Sequence, residues 1–224
     1  MSIPLERVNE ARRNIAPVAL RTPLVPYGAD APAELYLKLE NLQPMGSFKI
    51  RGAANVTART SRERLERGLL TASAGNMAQG VAYCARRLGV PATVVAPENP
   101  RCGAISLGAR VILVPFAEWF HTFETHTYPG VDATFIHAFD DADVMAGNGT
   151  IALELVGRFD CGDARRSRAG REREGRSHSL RRQHRSRQIR ADHLLNRYAT
   201  RSGPRLGREL HADVRVIQRR SGAQ

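Results

Sequence analysis

Lysine is almost absent from this 224-residue chain: Lys38 and Lys49 are the only two among 34 basic residues. Cysteine is scarce too. Cys84, Cys102 and Cys161 are odd in number, widely spaced and form no C-x-x-C pair. That argues against a disulfide framework and a zinc site, and makes a reducing cytoplasm the default. No stretch approaches the roughly 18–20 apolar residues of a membrane-spanning helix. The N-terminus, Met1-Ser2-Ile3-Pro4-Leu5-Glu6-Arg7, lacks the apolar run of a secretory signal. The expectation is a soluble cytoplasmic protein with no membrane partner and no bound metal. His121 and His126 come nearest to a zinc motif, but they are spaced i, i+5 where a helical zinc pair needs i, i+4.

The net charge of +12 invites a nucleic-acid-binding reading. It is unevenly held. Residues 1–156 carry 15 basic and 15 acidic side chains, whereas residues 157–224 carry 19 arginines, no lysine and 7 acids. Phe159 and Tyr198 are the only aromatic residues of that second stretch, and Leu194-Leu195 and Val214 to Ile217 are isolated apolar islands. With so little apolar surface to bury, residues 157–224 are expected to be a largely disordered basic tail.

The front of the chain has a regular pattern. Leu5, Val8, Ala11 and Ile15 recur at helical spacing after Pro4, and Glu34 to Glu40 alternates as a strand. Phe48 to Thr60 reads as a helix despite Gly52. A strand at residues 69–72 precedes a helix from Met77 to Leu88, which Gly89 and Pro91 stop. Residues 92–96 and 110–114 read as strands around a short helix at 101–108, and Glu118 to Thr127 as a further helix. A strand at 134–138 and a last helix from near Asn148 through Leu155 complete the series. Strands alternating with helices imply βαβ units and a three-layer α/β domain on a parallel sheet.

Two segments carry candidate chemistry. Gly46-Ser47-Phe48-Lys49-Ile50-Arg51-Gly52 sets a lysine just inside a helix start, between apolar neighbours. Burial and the positive end of the helix both disfavour an ammonium there, and a neutral amine forms Schiff bases with carbonyls. On position alone, a surface lysine lying along apolar neighbours explains it as well. Ser73-Ala74-Gly75-Asn76-Met77 follows a strand and opens a helix, the place where open α/β sheets bind ligands and helix N–H groups cradle anions. The plain alternative is a capping turn using Ser73 or Asn76.

Together these segments are more specific. The run from Glu40 through Ala53, with Ser73-Ala74-Gly75-Asn76 and Asp143 through Leu155, resembles the threonine/serine dehydratases. These belong to the tryptophan-synthase-β-like, fold type II, pyridoxal-phosphate enzymes. The likeness covers nearly all of residues 1–156. It implies that Lys49, flanked by Phe48, holds pyridoxal 5'-phosphate and serves as the base, and that Asn76 bonds the cofactor ring hydroxyl. It implies that Ser73, Ala74, Gly75, Asn76 and Met77 take the carboxylate of an amino-acid substrate. The reaction implied is ammonia-lyase chemistry, with β-replacement or racemisation as alternatives, in a family-like homo-oligomer. Residues 1–52 would then begin the larger domain and residues 53–156 form the smaller one.

Met45 and Met77 stand where the family often has a small hydroxyl residue and a histidine. The family's Gly-rich phosphate loop has no counterpart in residues 157–224, so weakened cofactor binding and impaired turnover are expected. Gly147-Asn148-Gly149-Thr150 could bind an anion, but reads more simply as the run into the last helix. Three readings of the tail remain open: a nucleic-acid-binding arm, a linker or regulatory extension, or a frameshift product of a truncated enzyme gene. Nucleic acid would be held only non-specifically through this tail. Shifted by one base, codons for Arg166 through Glu172 can encode Val-Pro-Gly-Gly-Ala-Gly-Thr, a string of the Gly-rich kind. Sequencing the gene tests it.

Overall fold

The computed structural model describes residues 2–27, 34–98, 104–169 and 214–219. Helix α1, Leu5–Ile15, follows Pro4 and buries Val8, Ala11 and Ile15, the stripe its spacing predicts. Strand β1, Leu24–Pro26, pairs antiparallel with β2, Glu34–Leu39. Helix α2, Lys49–Arg59, and the short α3, Arg62–Glu66, lead into the main sheet. The alternation that follows is β3 (Leu69–Ala72), α4 (Asn76–Leu88), β4 (Ala92–Pro97), β5 (Arg110–Val114), α5 (Phe116–Thr125) and β6 (Thr134–Phe135).

These four strands form a parallel sheet in the order β5-β4-β3-β6. Its two faces fill separately because successive strand residues point to opposite sides. Leu69, Val94 and Ile136 join the core shared with α2 and α4. Leu70, Val95 and Val114 pack with Trp119 of α5 on the other face. The three-layer α/β arrangement is therefore present. Gly89 ends α4 at φ +68, with the Val90 N–H reaching back to the Ala85 carbonyl, the left-handed stop expected of glycine there.

The last helix departs from the sequence reading. Helix α6 starts at Ala142, one and a half turns ahead of Asn148, and runs to Ala169. The Asp141 carboxylate takes the N–H groups of Asp143 and Val144 and so caps it. Gly147 and Gly52 serve packing here. A Cβ on Gly147 would lie 2.4 Å from the Arg51 carbonyl oxygen, and one on Gly52 would lie 2.8 Å from Val144 Cγ1. Helices α2 and α6 thus cross with backbones in contact. Gly147-Asn148-Gly149-Thr150 lies inside a helix rather than at its N-terminus, which removes it as an anion site.

The division expected at residue 52 falls inside α2. Helix α6 continues past Val156 to Ala169, and β7, Val214–Arg219, pairs antiparallel with β2 to make a β1-β2-β7 sheet. Residues 170–213 and 220–224, where the expectations of a disordered tail and a nucleic-acid-binding arm chiefly fall, lie outside the described residues. No helix among the described residues is long and apolar enough to cross a membrane.

Candidate active site

The sheet order reverses direction between β3 and β6. From β3 the chain moves out through β4 to β5, and then returns to β6 on the other side of β3. The crevice beyond the carboxyl ends of β3 and β6 is therefore the switch point where ligands of open α/β sheets bind. Three segments meet there: the start of α2, the loop from β3 into α4, and the turn from β6 into α6.

Lys49 is the first residue of α2 and is half-buried. Gly46, at φ +67, turns the chain into this helix, and the Lys49 N–H donates to Ser47 Oγ at 3.3 Å. The Lys49 Nζ donates to the Ala138 carbonyl at 2.8 Å, across to the turn after β6. The Phe48 and Phe139 rings flank it, with Nζ 5.2 and 6.0 Å from their centroids. Helix α4 abuts the same point, since a Cβ on Gly80 would stand 3.5 Å from the Lys49 carbonyl carbon. Asn76, one turn earlier, opens α4.

Among the described residues neither Ser73 nor Asn76 fills the N-cap position of α4, which is Gly75. Ser73 Oγ instead takes the Gly75 N–H at 3.3 Å, and the Ser73 N–H pairs with the Val95 carbonyl. The loop therefore lies at the positive end of α4. A Cβ on Gly75 would meet nothing within 4 Å, so the loop borders open space. Ala74 is half-buried in this loop. The Met77 side chain turns away into the main core, leaving only its backbone to the crevice.

Behind Lys49 lies a group of charges that the sequence reading did not pick out. On β2 the inward face is that of Lys38, followed by Glu40, at 1% and 0% exposure, while the alternating leucines are half-buried. Arg51, 1% exposed, makes a two-pronged contact to Glu40, with Nε and Nη2 each 2.8 Å from a carboxylate oxygen. Its Nη1 reaches Glu154 at 2.7 Å and Thr150 at 3.0 Å. Lys38 Nζ reaches Glu154 at 2.5 Å and Thr22 Oγ1 at 2.6 Å. Two cations face two anions, joining β2, α2 and α6 two residues from Lys49. Burial alone would push the Glu40 carboxyl up, but the Arg51 contacts, Thr22 and Lys38 overcome it and hold it below the ordinary range. At Arg51 burial pulls the other way, and the contacts to Glu40 and Glu154 overcome it and raise it above its ordinary value. The signal was available in the strand pattern, where a lysine and a glutamate share one face.

The turn after β6 was also missed. His137, Ala138 and Phe139 reach the site from far along the chain and carry no motif a sequence search would stop at. Among the described residues no group of histidine, cysteine or acidic side chains could hold a metal.

Comparison with known proteins agrees with the fold. Residues 15–167 match the family described as pyridoxal-phosphate dependent enzyme. The L-threonine ammonia-lyase of Thermotoga maritima is 44% identical over 163 residues, covering 69% of this chain and 40% of that protein. The structure of maize serine racemase superposes with a TM-score of 0.65 at 29% identity, over 70% of this chain and 51% of that one. The processed form of threonine deaminase isoform 2 from Solanum lycopersicum gives 0.59 at 32% identity, over 70% and 47%. The chain thus spans about two-fifths to one-half of the length of these relatives. Its fold, its switch-point lysine and the family match over residues 15–167 agree, and the chain belongs to the fold type II pyridoxal-phosphate dependent enzymes.

Proposed function

We propose that this chain carries the Lys49 side of an ammonia-lyase site acting on a β-hydroxy amino acid such as threonine or serine. The observation that carries the reading is the Lys49 amine, set at the start of α2 and directed across the switch-point crevice to the Ala138 carbonyl. The groups around it suit an anionic, aldehyde-bearing cofactor. They comprise one primary amine, two aromatic rings and the N-terminus of α4, which Asn76 opens after Gly75, where a Cβ would meet nothing within 4 Å. Lys49 and Asn76 would hold pyridoxal phosphate, with Phe48 alongside.

When bound, the cofactor supplies an electron sink for the carbanion at the substrate Cα. Backbone N–H groups of the 73–77 loop other than those of Ser73 and Gly75, which are bonded within the chain, take the substrate carboxylate at the positive end of α4. Lys49 Nζ takes the Cα proton, and the Ala138 carbonyl holds the resulting ammonium. The Phe48 and Phe139 rings keep water from the amine. Over the whole reaction the amino acid loses its β-hydroxyl and its nitrogen, giving a 2-oxo acid and ammonia. With no Gly-rich loop in residues 157–224, this chain by itself holds the cofactor weakly and turns over slowly.

The test is reduction with borohydride in increasing pyridoxal phosphate, followed by peptide mapping. A pyridoxyl group on Lys49 but not on Lys38, saturating only at high cofactor, is the expected result. Its absence from Lys49 in folded protein overturns the reading; full occupancy at low cofactor with brisk threonine turnover overturns the weak binding alone. The likeness to maize serine racemase favours racemisation as a second reading. Chiral analysis of serine incubations separates it from 2-oxo acid formation, and O-acetylserine tests β-replacement.

A further inference from the structure

We propose that His137 is a positioning residue for the Lys49 amine: its neutral ring staples the turn that presents the Ala138 carbonyl, and protonation of the ring releases that turn. In naming Lys49 as the amine that matters, this rests on the function proposed above; the staple itself rests on contacts alone.

The main sheet's last ladder contact is the Ile136 N–H on the Leu70 carbonyl, at 2.7 Å. The chain must then leave the sheet and reach the start of α6 at Ala142. His137 shapes that exit. Its Nδ1 accepts the Asp140 N–H at 2.6 Å and the Phe139 N–H at 3.2 Å. Ala138 lies within the loop so closed, and its carbonyl accepts the hydrogen bond that Lys49 Nζ donates. A ring nitrogen that accepts carries no proton, so the imidazole is neutral with its hydrogen on Nε2. Adding a proton at Nδ1 would set an N–H against two N–H groups and end both hydrogen bonds.

The ring is 5% exposed. Phe123 of α5 packs on it at 4.5 Å between centroids, Phe139 edge-on at 4.7 Å, and His126 at 5.3 Å. The charged groups around it pull in opposite directions. Burial, His126 at the end of α5 and Lys49 on α2 oppose protonation, whereas Asp140 and Asp141 on its own turn favour it. The first set wins, and the ring stays below the ordinary imidazole range. Asp141 is already committed to capping α6.

A ring that merely filled space would not respond to pH, and two variants separate the cases. His137→Asn puts Oδ1 where Nδ1 stands, an acceptor that does not titrate. His137→Phe keeps the aromatic volume and has no acceptor. The readout is the rate of reductive methylation of Lys49 in the full chain without cofactor, mapped by mass spectrometry. Lys38, 1% exposed and ion-paired, is the internal control for folding.

Wild type and His137→Asn are expected to label alike at neutral pH. As pH falls through the ring's own value, which lies below the usual imidazole value of about 6.5, wild type should gain about fivefold over His137→Asn, the factor corresponding to one hydrogen bond. His137→Phe should show the higher rate at every pH. A wild-type to His137→Asn ratio that stays at one from neutral to acid pH overturns the proposal, even if His137→Phe fails to fold. Because no cofactor is needed, the staple can stand while borohydride trapping fails, and the reverse.

Discussion

Replacing Arg51 with leucine should be among the most damaging single changes in this protein. The guanidinium neutralises Glu40 and Glu154 inside a group whose members Lys38, Glu40 and Arg51 are at most 1% exposed. Leucine fills part of the volume but leaves two carboxylates sharing Lys38. Breaking a buried ion pair from one side costs about 3–5 kcal/mol, a large share of the roughly 5–15 kcal/mol by which domains are stable. At about 2–4 °C per kcal/mol for a chain of this size, the melting midpoint should fall by roughly 6–20 °C. Arg51→Lys keeps the charge but not the two-pronged geometry on Glu40 and should lie between. The double variant Arg51→Leu/Glu154→Leu leaves Lys38 opposite Glu40. It should cost less than the sum of its parts by roughly 0.5–3 kcal/mol. Urea unfolding followed through Trp119, the only tryptophan, measures all three. An Arg51→Leu cost under about 1 kcal/mol, well short of the broken-pair figure, or strict additivity in the cycle, would refute the view of these charges as one desolvated unit.

The same group gives an acid limb. Because the Glu40 carboxyl lies below its ordinary 4.5 in the folded chain, its stabilisation is complete above that value and is lost as pH falls through the folded one. Urea midpoints should hold level from neutral pH and then drop steeply in acid, with Glu40→Gln flattening the drop. Gly147→Ala sets a methyl against the Arg51 backbone, which cannot move as a side chain could. Overpacking of about 1–3 kcal/mol should outweigh the gain in helix propensity of up to about 1 kcal/mol, and a melt above wild type would count against so close a crossing. The Cys84 thiol, pushed up to about 12 by burial, should resist alkylation in the native chain and react only on unfolding, as peptide mapping would register.

Much of the fold was legible because residues 69–114 are locally consistent. Each strand is a short apolar run, each helix buries one stripe, and Gly89 supplies the stop its position demands. The start of α6 was not legible, since Gly147 and Gly149 read as a loop. The helical role of Gly147 is apparent only once the Arg51 backbone is seen against it. The face of β2 was misleading for a related reason. Leucines look like the inward set, yet Lys38 and Glu40 are inside because Arg51 and Glu154, from other elements, balance them.

At the site, Lys49 and the Ser73–Met77 loop could be found from sequence, because both lie where a helix begins after a turn and both carry their chemistry in adjacent residues. Ala138 and His137 could not, because their part depends on a contact across 89 positions of chain. By itself the sequence determined the alternation of strands and helices, the amine and the loop, all consequences of spacing and local conformational preference. Which carbonyl takes that amine, which glycines must stay bare and which charges lie inside were decided by the tertiary structure. These depend on which backbones approach closely enough to exclude a methyl group or water, and that is a property of the packed chain.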